Sequence, residues 1–169
     1  MRPRPPTAGP PTAGPPTAGY SGTPLAKKLG IRPGARLFLQ APPRNYRQLI
    51  APVPEGVQTV RRIDAHTDLL HLFATRRTGL ARALQGARTS MRDDAVIWVS
   101  WPKKSAGVAS DLTEDEIRAL ALPLGLVDIK VCAVDETWSG LKLVLRRSER
   151  AAPTNSARPR AATRRPNRP

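Results

Sequence analysis

Apolar residues in this chain fall in short runs separated by polar breaks marked with glycine or proline. The spacing inside each run predicts its secondary structure. The longest run, Ala95-Val96-Ile97-Trp98-Val99-Ser100-Trp101, has no alternation and reads as a strand covered on both faces. Residues 35–40 and 68–74 read the same way. Residues 57–63 are more amphipathic and suit a strand at or near a sheet edge. Two late stretches, 127–134 and 141–146, alternate apolar and polar residues, and the polar segment 135–140 between them predicts a hairpin.

Helical spacing appears three times. Thr23 and Pro24 suit the cap and first position of a short helix that carries Leu25 and Leu29 on one face and stops at Gly30. Thr75 is expected to cap a second helix that runs to about Arg88, with Leu80, Ala83, Leu84 and Ala87 on one face. The third starts at Thr113. Thr113 and Glu116 form a T-x-x-E capping box, Leu112 and Ile117 form the hydrophobic staple, and Glu114, Asp115 and Glu116 favour the helix dipole. Pro123 and Gly125 end it. One further helical turn is expected at 46–49. The order is helix, strand, strand, strand, helix, strand, helix, strand, strand. It predicts a three-layer, Rossmann-like α/β domain, with a mainly parallel sheet and a C-terminal antiparallel hairpin.

Composition sets the limits of that domain. Residues 1–19 carry Pro-Pro-Thr-Ala-Gly three times, and 148–169 hold six arginines and one glutamate. Neither stretch has apolar residues to offset the entropy of ordering a backbone, so both are expected to be disordered tails flanking one domain at 20–147. The chain carries a net charge of +15, and the domain is basic without its tails. A polyanionic partner fits that balance: weak, sequence-blind contact with nucleic acid through Arg158, Arg160, Arg164, Arg165 and Arg168. Arginine-rich composition alone would give the same charge. A single cysteine, Cys132, excludes an internal disulfide and a cysteine-rich zinc site, and no metal site is expected. No charged-then-apolar leader follows Met1, and no apolar run approaches the ~18 residues of a membrane span. A cytoplasmic protein without membrane contact is therefore expected.

Candidate chemistry is sparse. There is no Walker loop, G-x-S-x-G elbow or H-E-x-x-H. His71, inside an apolar strand, reads as a core histidine with its bonds satisfied, and Cys132 as a packing residue. The basic loop after the central strand offers Lys103 and Lys104 to an anion, and Trp101 to an aromatic ring. Asp135 and Glu136, beside Trp138, form a carboxylate pair of the kind used in acid–base work. Hairpin loops also use Asp to bond their own backbone.

Two resemblances add to this. Residues 20–25 (YSGTPL), 101–104 (WPKK), 111–114 (DLTE), 122–128 (LPLGLVD) and 134–141 (VDETWSGL) resemble an uncharacterised bacterial family known only as a domain of unknown function, which implies no activity. Residues 29–37 and the terminal hairpin are similar to Rossmann-like methyltransferases. Those enzymes need a glycine-rich turn after their first strand so that the backbone can approach S-adenosylmethionine. Here that turn is Gln40-Ala41-Pro42-Pro43-Arg44, so no cofactor is expected. The reading that follows is a non-catalytic module. It would bind an anionic or aromatic small molecule where the ends of 35–40 and 95–101 meet, using Arg44, Trp101, Lys103 and Lys104. The alternatives are a divergent transferase using Asp135 or Glu136, and a protein held to nucleic acid by its basic tail.

Overall fold

The computed structural model describes residues 22–151. The proline repeats, Tyr20 and Ser21, and the arginines from Arg158 to Arg168 lie outside the described residues.

The chain forms α1 (Leu25–Leu29), β1 (Arg36–Gln40), α2 (Tyr46–Leu49), β2 (Gln58–Val60), β3 (Leu69–Phe73), α3 (Arg77–Ser90), β4 (Val96–Pro102), α4 (Glu114–Ala121), β5 (Leu126–Ala133) and β6 (Trp138–Leu145). The six strands make one sheet in the order β2-β1-β3-β4-β6-β5. The first four are parallel. β6 runs antiparallel to β4, and β5 antiparallel to β6. The edge position expected for 57–63 and the terminal hairpin are both present.

The strand period of two sorts the central residues onto two faces. On one, Leu70, Leu72, Ile97, Val99 and Trp101 pack under Leu80, Leu84 and Ala87 of α3 and Ile117 and Ala121 of α4. On the other, Leu37, Leu69, Phe73 and Trp98 pack under Leu25, Ala26 and Leu29 of α1 and Tyr46 of α2. The unalternating runs at β3 and β4 are buried on both faces between helices, whereas β1, expected to be like them, is only half-buried apart from Leu37.

Helix starts differ from expectation in two places. Thr23 does not cap α1; Pro24 stands at that position and no side chain caps the turn. Thr75 does not cap α3 either. The Arg77 N–H donates instead to the Asp111 carboxylate at 2.7 Å, while the Asp111 N–H donates to the Thr75 carbonyl at 3.2 Å. A residue 34 positions away thus does the capping, and no local pattern reveals it. At α4 the Thr113 hydroxyl accepts the Glu116 N–H at 3.2 Å, as expected. The Glu116 carboxylate does not turn back to the cap but pairs with Arg77 on α3.

The described residues extend four positions past Arg147. Arg147–Glu149 form a 3-10 turn, the Arg150 guanidinium donates to the Leu145 carbonyl at 3.0 Å, and the Ala151 N–H to the Asp93 carboxylate at 2.7 Å. Among the described residues no helix is long and apolar enough to cross a membrane.

Candidate functional site

The strand order decides where an open α/β sheet can hold a ligand. From β1 the chain moves outward to β2, then returns across β1 to β3. The switch point therefore lies between the carboxyl ends of β1 and β3. The expected meeting of 35–40 with 95–101 does not occur, because β3 lies between them.

At the switch point the chain leaves β1 through a turn at Ala41. Ala41 has φ of 47°, and no other non-glycine residue among those described has a positive φ. A side chain in this left-handed region costs roughly 1–2 kcal/mol. Such strain persists where surrounding structure holds it, and it clusters at ligand sites. After Ala41, Pro42, Pro43 and Arg44 form one wall of a pocket of 350 Å³ between β1, α2 and β2. Its floor is apolar, with Leu37, Leu39 and Ile50, and Arg44 and Arg47 stand exposed at its rim.

A buried polar chain runs inward from this pocket. The Tyr46 ring is part of the pocket wall, and its hydroxyl is hydrogen-bonded to His71 Nδ1 at 3.0 Å. His71 Nε2 is bonded to the Ser100 hydroxyl at 2.8 Å. Burial holds the imidazole far below its ordinary range, down to about 3, so it is neutral. Burial also pushes the Tyr46 phenol up. The His71 ring stacks on Phe73 at 4.4 Å, and Phe73 meets Trp138 edge-on at 5.1 Å. His71 is thus the satisfied core histidine that its apolar strand implied. Its partners, from α2 and β4, carried no mark in the sequence beyond being small or aromatic polar groups.

The other residues singled out by sequence lie away from this pocket. Lys103 donates from Nζ to the Asp135 carbonyl at 2.6 Å and from its backbone N–H to the Thr137 carbonyl at 2.8 Å, tying the end of β4 to the hairpin. Asp135 accepts the N–H groups of Thr137 and Trp138 at 2.8 and 2.7 Å. Its carboxylate shapes the turn and does not form a pair with Glu136, which is exposed at the tip. Trp138 is the first residue of β6, not part of the loop, and supports Phe73. Trp101 is buried on the α3 and α4 face. Lys104 is exposed in the 3-10 turn that follows β4. Lys103, Asp135 and Trp138 come together at one corner, while Arg44 stands across β3 from them at the pocket.

No family model matches the sequence, and no curated protein matches it. The resemblance to a domain of unknown function thus finds no support. Solved structures do match. A protein of Sulfolobus solfataricus provisionally assigned as a type 11 methyltransferase aligns with a TM-score of 0.56 at 11% identity, over 76% of this chain and 93% of that one. Aeropyrum pernix fibrillarin, solved with S-adenosyl-L-methionine, aligns with a TM-score of 0.45 at 14% identity, over 71% and 73% of the two chains. LaPhzM aligns with a TM-score of 0.45 at 16% identity, over 76% of this chain and 48% of its own.

The fold is that of the Rossmann-like methyltransferases. The expectation of a non-catalytic module is corrected on this finding: the architecture is matched in a protein provisionally assigned as a methyltransferase.

Proposed function

We propose that this chain is a divergent transferase of the methyltransferase type, with its site at the carboxyl end of β1. The observation that supports this is the extent of the fold match, which takes in 93% of the archaeal protein's length and so leaves little of that architecture without a counterpart.

S-adenosylmethionine is the donor such a fold implies, and the turn after β1 tests whether it fits. A glycine there serves to let the backbone turn left-handed close to the cofactor. Ala41, at φ 47°, already takes that conformation, so the backbone path is present without the glycine. Pro42 and Pro43 carry no N–H, so the turn offers fewer backbone donors than a glycine-rich one and side chains must supply more of them. Arg44, exposed at the pocket rim, suits a carboxylate through a charge-assisted bond. The bound cofactor supplies an activated methyl group. The chain's own part is to orient it and to exclude water. The neutral Tyr46–His71–Ser100 chain holds the adjoining pocket wall rigid. Asp135 is not assigned a proton-transfer role, since both of its backbone bonds would be lost.

Calorimetric titration of the full chain with S-adenosylmethionine and S-adenosylhomocysteine tests the reading. Saturable binding of both is expected, and Arg44→Gln should weaken it by roughly tenfold to a hundredfold, the worth of a charge-assisted hydrogen bond. Ala41→Gly should keep it. Absence of binding to either compound sinks the proposal.

A further inference from the structure

A second cavity lies at the opposite, amino end of the strands. It has a volume of 370 Å³ and is lined by Arg32 and Lys142, with Asp68, Arg92 and Asp94 on its other side. Its acids are already engaged. Asp68 and Asp94 hold Arg92 at 2.7 and 2.8 Å. Lys142 in β6 stands directly opposite Lys130 in β5. Like charges paired across strands destabilise a sheet. Burial, then the charges of Lys130 and Arg32, hold the Lys142 ammonium below the usual lysine range. Among the described residues none of these three cations has a carboxylate partner. An anion at a half-buried cation with two cationic neighbours would relieve their repulsion.

We propose that this cavity binds a phosphate group, held by Lys142 and Arg32, with Lys130, opposite Lys142 in the sheet, adding its charge. A phosphate brings one negative charge as a diester and up to two as a monoester or free ion, with several acceptor oxygens, and so answers several ammonium and guanidinium donors at once. The group can belong to a free phosphate compound or to the backbone of single-stranded nucleic acid. The site lies across the sheet from Ala41 and does not depend on the transferase reading.

Thermal unfolding of the full chain tests this, in pyrophosphate or a twelve-nucleotide single strand against chloride at matched ionic strength. The variants are Lys142→Met, Lys130→Gln and, as a control for net charge, Arg82→Gln on the far face of α3. At least one phosphate probe should raise Tm by mass action. In chloride, Lys142→Met should melt above the unaltered chain, because a repelled cation is gone while its apolar stem remains. It should also lose the phosphate-induced rise. Lys130→Gln should show a smaller rise, and Arg82→Gln the full one. Should Lys142→Met fail to fold, Lys130→Gln against Arg82→Gln carries the comparison. A rise with pyrophosphate identifies a free compound, and a rise with the oligonucleotide alone identifies the nucleic-acid backbone. The proposal falls if neither probe raises Tm, if the rise survives in Lys142→Met, or if Arg82→Gln loses as much as Lys130→Gln.

Discussion

His71 shows how one residue links the core to the site. Its ring is fully buried, and both nitrogens are bonded, to Tyr46 and to Ser100. Its folded value of about 3 lies below the ordinary 6.5. Between those values the unfolded chain binds a proton that the folded chain refuses, so stability rises with pH there. Tm should therefore fall as pH drops from about 6.5 toward 3. His71→Phe should flatten that part of the profile while lowering Tm at pH 7, since two hydroxyls lose their partner at about 1–3 kcal/mol for each buried group left unmade. An unchanged acid profile in the variant would show that His71 is not the group responsible. Gly140 is a second case of a residue fixed by its surroundings. A Cβ there would stand 3.0 Å from Val134 Cγ2 and 3.3 Å from the Trp98 ring, so the ring occupies the space that a side chain would need.

At the scale of elements, α3 is anchored by a distant carboxylate. Asp111 stands in for the absent N-cap by accepting the Arg77 N–H. Asp111→Ala should cost about 0.5–2 kcal/mol in urea unfolding, the range for losing a capping side chain. Thr75→Ala should cost less, because only the Thr75 carbonyl is bonded to Asp111 and the substitution keeps it. Equal losses in the two variants would return the capping role to Thr75. α1 is held by a comparable long link, the buried Trp98 indole N–H donating to the Leu29 carbonyl at 2.9 Å.

At the scale of the whole molecule, the sheet divides the chemistry between its two ends. The strained turn and the pocket bearing Arg44 lie at the carboxyl end of β1, while the cavity bearing Lys142 opens at the amino ends. The segment after β6 also belongs to the folded unit. The Glu149 side chain lies against Gly125, and Arg150 and Ala151 are bonded back to the sheet and to Asp93. A chain ending at Arg147 should therefore melt measurably below one ending at Ala151. If both melt together, the turn at Arg147–Glu149 contributes nothing to stability.

The order and type of the elements were legible in the sequence because they rest on local physics. A two-residue period, a glycine stop at Gly30 and a hydroxyl cap at Thr113 act over a few residues and leave their mark there. The hairpin and the buried run 95–101 were readable for the same reason. Contacts between distant segments left no such mark. That β3 separates β1 from β4, that Asp111 caps α3, and that Tyr46, His71 and Ser100 form one chain depend on which strands become neighbours, and local periodicity carries no record of that. The prolines after β1 were legible as a turn without glycine, but the left-handed conformation of Ala41 within it was not. Lys130 and Lys142 read as ordinary polar positions in alternating strands. Only the pairing of β5 with β6 sets their charges face to face.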